Sequence, residues 1–287
     1  MSTIHVQAII NGLLTGGIYG LAALGLSLIW GVMKVVNVAH GDMLMIAAYA
    51  TFFLVVGGVN PFVTLALLLP LGFVAGALLY RVIIRHLVER SEVELMSLVL
   101  TFGLGAMIYG AAANAWGQDL RSIPLLLPTL KVGAVRVPWS RLSAFIISLG
   151  LMVALYLFLR RTYIGKAIRA VAQSRTAAMA MGIDPGQISM IAFGIGLGYA
   201  AVAGGLIALT NPLSPIIGLN YVGRAFAVVV LGGLGNPIGA VVGGLVLGLA
   251  ESISALFVTY SLAPAVAFLL LIIVLIVRPR GLFGPLG

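Results

Sequence analysis

Charged residues leave long intervals of this sequence without any aspartate, glutamate, lysine or arginine. The intervals are 1–33, 43–80, 95–118, 142–159, 185–223, 225–250 and 252–277. A helix needs roughly 20 apolar residues to cross the hydrocarbon core of a bilayer, so most intervals hold one span and the longest hold two. Because 62% of the residues are hydrophobic and 8% are charged, the sequence predicts a polytopic integral membrane protein of the all-α class.

Glycine, proline and asparagine indicate where the longer intervals divide into separate helices. Breaks are predicted at 57–61, 211–215 and 236–237. We therefore expect a helical bundle of eight full spans and one short or re-entrant segment, forming a single transmembrane domain over 1–287. The predicted full spans are 5–30, 42–57, 61–80, 95–116, 142–159, 187–210, 237–257 and 262–277, and the short segment is 221–233.

The distribution of lysine and arginine predicts how the bundle is oriented. If the amino terminus is outside and the spans alternate, eleven of these residues lie inside and five outside. Cytoplasmic connections carry the excess of positive charge in membrane proteins, so this orientation is favoured. It makes 160–187 a cytoplasmic loop and 116–141 an extracytoplasmic loop. The residues counted as inside are Lys34, Arg81, Arg85, Arg90, Arg160, Arg161, Lys166, Arg169, Arg175, Arg278 and Arg280.

The composition limits the chemistry that the chain can perform. The net charge of +9 is not concentrated on a solvated, aromatic-studded face, so no nucleic-acid binding is predicted. With no cysteine and only three, widely separated histidines, we predict neither a metal site nor a cofactor. No phosphate-binding loop of the G-x-x-x-x-G-K-[ST] type occurs, so the chain is not expected to be an enzyme that hydrolyses ATP.

Glycines recur at four-residue spacing within the predicted spans. Small residues at this spacing let helix backbones approach closely in a membrane. Tight helix packing is the more general explanation of the pattern, and a glycine-lined passage is the alternative. The rows are Gly12–Gly16–Gly20, Gly194–Gly198, Gly235–Gly239–Gly243 and Gly244–Gly248.

The cytoplasmic loop 160–187 has the composition of a helix. Its middle is rich in alanine, and Gly182 followed by Asp184 and Pro185 predicts a helix end. This segment would either rest on membrane lipid or dock into a groove on a cytoplasmic partner. On a helical wheel its polar face is Lys166, Arg169, Gln173 and Thr176, and its apolar face is Ile164, Ile168, Val171 and Met179.

The segment Asn37–Asp42 is polar and helix-weakening, yet it lies between two apolar runs. By the alternation of spans, Met33–Gly41 should lie at the cytoplasmic end of the first span. Backbone that is not helical cannot face lipid, so such a break must face protein or a water-filled cavity. His40 is then either a satisfied interfacial side chain or part of an inner gate, and Asp42 is expected to cap the next helix.

Glu251 is an ionisable residue inside a predicted span, which makes it a candidate functional residue. Arg224 begins the preceding segment and lies at a similar predicted depth. An ion pair between the two residues and a substrate contact by Glu251 are both consistent with the sequence.

Four stretches resemble the motifs of one transporter family, in that family's order along the chain. They are VNVAHGDMLMIAAY (36–49), GKAIRAVAQSRTAAMAMGI (165–183), AFAVVVLGGLGNPIGAVVGG (225–244) and RPRGLFG (278–284). Together they are similar to the branched-chain amino acid permeases of the Liv type, which belong to the ATP-binding-cassette (ABC) importers.

The resemblance implies a multi-pass permease subunit in the inner membrane of a bacterial cell, with no catalytic residues of its own. The implied partners are a second permease subunit, LivM-like or an identical copy, two cytoplasmic ABC ATPases, a periplasmic substrate-binding protein and membrane lipid. Branched-chain or other small apolar amino acids are the implied substrates, and urea, short amides and small organic acids are the alternatives. A secondary transporter or channel is the rival from another class.

The resemblance and the residue patterns together give two sets of expected site residues. The expected ATPase-coupling residues are Gly165, Lys166, Arg169, Gln173, Ala177, Ala178 and Gly182. The expected residues of the gate or translocation path are Asn37, His40, Gly41, Asp42, Gly232, Gly233, Gly235 and Glu251.

Overall fold

A computed structural model describes residues 3–88, 92–124, 128–133, 135–259 and 262–284. Arg90 and positions 125–127 of the predicted extracytoplasmic loop lie outside these residues. The helices are α1 Thr3–Met33, α2 His40–Val56, α3 Pro61–Leu79, α4 Arg85–Val88, α5 Val93–Trp116, α6 Trp139–Arg161, α7 Tyr163–Gln173, α8 Arg175–Ala180, α9 Pro185–Thr210, α10 Ile217–Gly232, α11 Pro237–Ser254 and α12 Ala263–Val277. A π-helical turn, Tyr80–Ile84, joins α3 to α4, and the strands β1 Thr129–Val132 and β2 Val135–Pro138 form an antiparallel hairpin.

Six helical stretches among the described residues are long and apolar enough to cross a membrane. They are α1, the continuous stretch from α3 to α4, α5, α6, α9 and α11. The helices α2, α10 and α12 are also apolar but have 17, 16 and 15 residues. The prediction of a polytopic helical membrane protein is therefore confirmed, and its exact count of spans stays a prediction.

Two landmarks define the ends of the bundle. The β-hairpin lies at the start of α1, where the Gln7 amide donates to the Arg136 carbonyl and accepts from the Arg136 N–H, both at 2.9 Å. Helix α7 packs beside α1 at the other end, and α8 follows it. We call these two ends the hairpin side and the α7–α8 side.

Glycines bring the part of α1 between Gly12 and Gly20 into backbone contact with α11. A Cβ atom added to Gly16 would lie 2.7 Å from the carbonyl oxygen of Gly244, and one added to Gly248 would lie 2.5 Å from that of Gly12. In the same way, a Cβ on Gly198 would lie 2.8 Å from the Leu69 carbonyl oxygen of α3. The packing explanation of these glycine rows is confirmed.

Helix α2 begins halfway through the bundle instead of at its α7–α8 side. After α1 ends, Lys34 adopts a left-handed φ of +58° and the chain runs back beside α1. The His40 ring nitrogen Nε2 lies 3.0 Å from the carbonyl oxygen of Ala22. Ala22 precedes the last residue of α1 by eleven positions, about 16 Å of helix. The expectation that Met33–Gly41 lies at the end of the first span therefore fits Met33, the last residue of α1, and is wrong for His40.

Helix α10 also begins inside the bundle but runs in the opposite direction. After α9 ends, residues 211–216 lead back to the level of α2, where a Cβ on Gly218 would lie 2.9 Å from the Asp42 carboxylate. From there α10 runs to the α7–α8 side, where Gly31 of α1 contacts Gly235 in the turn that follows α10. Helices α2 and α10 are thus half-length, with their amino termini side by side in the middle of the bundle.

The two half-length helices belong to an inverted repeat. Each follows a long helix and is followed by a similar turn, GGVNP at 57–61 and GGLGNP at 232–237. In both turns the asparagine side chain caps the next helix and proline is its first residue. The repeats are α1–α2–α3 and α9–α10–α11. The packing has the same symmetry, because the first helix of each repeat contacts the third helix of the other, α1 with α11 and α9 with α3. This repeat is not among the sequence predictions, although the two G-G…N-P turns are visible in the sequence.

Gly16→Leu is expected to destabilise the protein, because no leucine side chain fits between α1 and the backbone of Gly244. Overpacking of this kind costs about 1–3 kcal/mol or separates the helices. Gly150→Leu on α6 is the matched control, since a Cβ there meets no atom within 4 Å. Thermal unfolding in detergent, followed by size-exclusion chromatography, should show a lower midpoint for Gly16→Leu only. Equal midpoints for the two variants would contradict the packing described.

Candidate functional site

The extended segment between α1 and α2 obtains its hydrogen bonds from α5. The Val36 N–H donates to the Ser97 hydroxyl and the Val38 N–H donates to the Thr101 hydroxyl, each at 3.0 Å. The Thr101 hydroxyl lies 2.9 Å from the Val36 carbonyl oxygen, to which it can donate. Water is scarce at this depth, so these two side chains replace the partners that a helix would give to the backbone.

Two expected gate residues of this segment are completely buried. Asn37 and His40 each have 0% of their surface exposed. Neither side-chain amide atom of Asn37 has a hydrogen-bond partner among the described residues, and the same holds for Nδ1 of His40. Gly41 follows in the first turn of α2 and contacts the Gly218 carbonyl of α10. These positions are therefore packed between helices and do not line an open passage in this conformation.

Asp42 lies at the junction of the two half-length helices. The prediction that it caps α2 is wrong in detail, because Ala39 occupies the cap position and makes no side-chain hydrogen bond there. Asp42 instead belongs to the first turn of α2, and its carboxylate lies between Gly218 of α10 and Gly105 of α5. Both helix amino termini carry partial positive charge, which favours an anion at this point.

The expected gate glycines of the α10–α11 turn lie elsewhere, on the α7–α8 side. Gly233 and Gly235 have φ values of +105° and +79°, which L-residues with side chains rarely adopt. Gly232 contacts the backbone of Gly239 across the turn. The segment 278–284 closes over them, with the Leu282 N–H donating to the Leu231 carbonyl at 2.8 Å. These glycines shape the turn and do not meet Asn37–Asp42.

The predicted helix of the loop 160–187 is divided into two. Helix α7 ends at Gln173 and α8 begins at Arg175, because Ser174 is extended and its hydroxyl accepts from the Ala177 N–H at 3.2 Å. The predicted end at Gly182 is confirmed, since its φ is +78° and Asp184 caps α9. The apolar face is only partly as predicted, because Ile164 and Met179 are 39% and 54% exposed.

The expected ATPase-coupling residues separate into an exposed and a buried group. Gly165 and Ala178 are buried inside the chain, Ala178 with 3% of its surface exposed, so they shape the loop and present no surface to a partner. The exposed group lies on the outer faces of α7 and α8 and just after α8. It consists of Lys166, Arg169, Gln173, Ala177 and Gly182.

A cavity of about 690 Å³ opens on the hairpin side and extends to the middle of the bundle. It is bounded by α1, the start of α10, α11 and the segment between α11 and α12. Helix α1 contributes a polar row that recurs every four residues, and i, i+4 spacing puts these side chains on one face. The row is Thr3, Gln7, Asn11, Thr15 and Tyr19. It is not among the sequence predictions, although its spacing within an uncharged helix is visible.

An ion pair forms the floor of this cavity. The Arg224 Nε of α10 donates to the Glu251 carboxylate of α11 at 2.9 Å, and the Tyr19 hydroxyl donates to its other oxygen at 2.7 Å. The two charged side chains are 19% and 13% exposed. The ion pair that the sequence left open is confirmed. Glu251 was one of the expected path residues. Arg224 and Tyr19 were not, and the structure adds them to the site.

A second cavity, of about 620 Å³, lies at the opposite end of α1. It is bounded by the end of α1, Val88, positions 92–95 and positions 171–175 of the α7–α8 region. Helix α1 lines the first cavity as far as Tyr19 and the second from Gly31 onwards. Nearly all of the α1 residues between them are buried. The hairpin cavity is thus closed towards the α7–α8 side by packed helices.

The comparisons with known proteins agree with this architecture. A family model described as branched-chain amino acid transport system / permease component matches residues 8–276. The chain belongs to this family. The permease protein BraD of the high-affinity branched-chain amino acid transport system from Pseudomonas aeruginosa is 32% identical over 98% of this chain and 96% of its own length. The corresponding permease LivH from Escherichia coli K12 is 30% identical over 97% and 95%.

A differently named permease of a branched-chain amino acid transport system also matches, but only in part. The permease protein LivM from Escherichia coli K12 is 30% identical over 46% of this chain and 32% of its own length. No solved structure matches the chain significantly. This member of the branched-chain amino acid permease family is therefore a multi-pass transport subunit and not an enzyme.

Thr101→Val is expected to destabilise the segment between α1 and α2. It leaves the Val38 N–H and one lone pair of the Val36 carbonyl without their partner, which costs about 1–3 kcal/mol at a buried site. Thr51→Val is the control, since the Thr51 hydroxyl bonds only to a carbonyl of its own helix. Hydrogen exchange at Val36 and Val38, followed by mass spectrometry, should accelerate in Thr101→Val and not in Thr51→Val. Unchanged exchange in both would contradict the role of α5.

Proposed function

We propose that this chain is a membrane-spanning permease subunit of an ABC importer. The observation that carries the proposal is the polar cavity, which reaches an ion pair in the middle of an otherwise apolar bundle in a member of this family. Charged side chains at that depth are costly to bury. Their presence therefore indicates a functional site or a well-satisfied structural pair. In this proposal the cavity is the outer half of the translocation path, and the packed region beneath it is the closed inner half.

The orientation follows from the charges. The hairpin side faces outwards and the α7–α8 side faces the cytoplasm of a bacterial cell, with the chain in the inner membrane. The loop 116–141 is then extracytoplasmic and 160–187 cytoplasmic, within a single domain. The chain makes eight full crossings and one short one, in which α2 together with its extended lead-in counts as full and α10 is the short segment.

The partners of the importer occupy the two ends of the bundle. A substrate-binding protein delivers substrate to the mouth of the hairpin cavity, and two ATPases contact the exposed residues of α7 and α8. A second permease completes the membrane part. The partial match to a relative named LivM favours a related but different subunit over an identical copy.

Transport requires the packed region between the two cavities to open. The junction of α2 and α10 is the element suited to this movement, because both helices end there and glycine contacts hold them. Asn37, His40, Gly41 and Asp42 would then change their surroundings as the inner side opens. The residues Gly232, Gly233 and Gly235 would act as a fixed turn at the inner mouth, which departs from the gate role expected from the sequence.

Branched-chain amino acids are the proposed substrates, because the names of the full-length relatives state that substrate. Urea, short amides and small organic acids are the alternatives within the same importer type. A secondary transporter or channel is less well supported, because such a protein needs its own ion-coupling relay or selectivity filter. The described residues include one ion pair, and the exposed α7–α8 surface has no role in that reading.

Ala177→Asp is expected to weaken ATPase docking without altering the fold, since Ala177 is exposed on α8. When an ATPase covers this position, the added carboxylate is buried without a partner, which should cost several kcal/mol of binding free energy. The control is Ser122→Asp, which adds the same charge to an exposed position after α5.

The measurements are co-purification of the ATPases and ATP-driven uptake of L-leucine by proteoliposomes that contain the complete complex and its binding protein. For the unchanged complex, we expect leucine uptake that depends on both ATP and the binding protein. Ala177→Asp should lower co-purification and uptake together, whereas Ser122→Asp should not. Leucine uptake that needs neither ATP nor the other subunits would overturn the importer proposal, and full co-purification of Ala177→Asp would remove α8 from the interface.

A further inference from the structure

The ion pair at the floor of the hairpin cavity retains unused hydrogen-bonding capacity. Arg224 donates from Nε to Glu251 and from Nη1 to the Asn220 carbonyl at 3.1 Å. Its Nη2 makes no hydrogen bond within the described part of the chain. Both charged side chains are partly exposed and both line the cavity. A small molecule that enters from the hairpin side can therefore reach the guanidinium and the carboxylate together.

The surroundings of Arg224 hold its guanidinium in a defined orientation. Its central carbon lies 5.6 Å from the centre of the Tyr19 ring and 5.7 Å from that of Tyr221. The two rings meet edge to face at 5.9 Å. A planar guanidinium fixed in this way presents its donors as a fork, which is the geometry that binds a carboxylate through two hydrogen bonds. The site thus suits a carboxylate better than a neutral amide.

A free α-amino acid carries the same two charges as the ion pair. Its carboxylate matches Arg224, and its ammonium group matches the Glu251 carboxylate and the Tyr19 hydroxyl oxygen. Each protein charge can exchange its present partner for the opposite charge of the ligand. Neither charge is then left unpaired. An unpaired charge at this depth would be strongly unfavourable. A molecule with one charge leaves one of the two partners unsatisfied.

We propose that the permease itself recognises the zwitterionic headgroup of its substrate, at Arg224, Glu251 and Tyr19. This inference rests on the proposed function and adds a selection step in the membrane to that of the binding protein. The headgroup opens the ion pair by exchange, with its carboxylate on Arg224 and its ammonium on Glu251. The substrate side chain faces the rest of the cavity, so the step selects α-amino acids as a class.

The first test measures binding of radiolabelled L-leucine to the purified complex of permeases and ATPases, without the binding protein. The competitors are 4-methylpentanoate, which lacks the ammonium group, 3-methylbutylamine, which lacks the carboxylate, and urea. Each should compete at least about 30-fold more weakly than unlabelled leucine, since the two singly charged analogues lose one charge-assisted contact and urea loses both. No saturable leucine binding, or equal competition by a singly charged analogue, would overturn the proposal.

The second test uses the neutral double variant Arg224→Gln with Glu251→Gln, which removes both charges and leaves hydrogen-bonding side chains. It should reduce leucine binding and uptake at least about 10-fold while thermal stability stays close to that of the unchanged protein. Tyr19→Phe keeps the ring and removes only the hydroxyl, so a smaller loss of binding is expected even if the double variant does not fold. Lys131→Gln, at an exposed position of the hairpin, is the control.

The outcomes separate this inference from the proposed function. Leucine uptake that persists in the double variant, or unchanged leucine binding by Tyr19→Phe, would assign the ion pair a purely structural role and leave the importer intact. A complex that takes up no leucine with ATP and its binding protein would instead overturn branched-chain amino acids as the proposed substrates.

Discussion

The structure depends on the need to satisfy every backbone hydrogen-bonding group in an environment without water. An unbroken helix meets this need by itself, but the chain leaves helical geometry between α1 and α2 in the interior of the bundle. There Ser97 and Thr101 of α5 bond to Val36 and Val38. Each unsatisfied group would cost several kcal/mol in hydrocarbon, so the break exists only because α5 covers it.

This covered break gives the bundle one half-length helix, α2, and the segment 211–216 after α9 gives the other, α10. Because α2 and α10 both start in the middle, their positive ends meet beside the Asp42 carboxylate, and glycines let the backbones touch. The space beyond the start of α10 is the hairpin cavity, with the ion pair of Arg224 and Glu251 at its floor. A bundle of full-length helices packed by the same glycines would have no such polar cavity at that depth.

Much of the fold could be predicted from the sequence, because hydrocarbon imposes simple rules on length, charge and helix breaks. The polytopic helical architecture, the glycine contacts and the partnership of Arg224 with Glu251 follow from these rules. The depth of Asn37–Asp42 does not, since a break at the membrane surface and a re-entrant break have the same composition. Only the contacts of His40 with α1 and of Thr101 with the segment distinguish the two.

Two further features needed the structure for different reasons. The division of the loop helix at Ser174 is a local choice, because its hydroxyl offers the backbone an alternative to the helical hydrogen bond. The burial of Ala178 is a tertiary effect of packing on α9, which a helical wheel of the loop alone does not contain. The polar row of α1 and the inverted repeat were within reach of sequence reasoning, since both are regular patterns.

The most direct test of a water-filled path to the centre of the bundle is cysteine labelling in this cysteine-free chain. Thr15→Cys lies in the cavity wall, whereas Leu14→Cys replaces a neighbour with 5% of its surface exposed. A membrane-impermeant methanethiosulfonate reagent, added outside intact cells, should modify position 15 rapidly and position 14 slowly. Protection of position 15 to the same extent as position 14 would show that no aqueous cavity reaches this depth from the hairpin side.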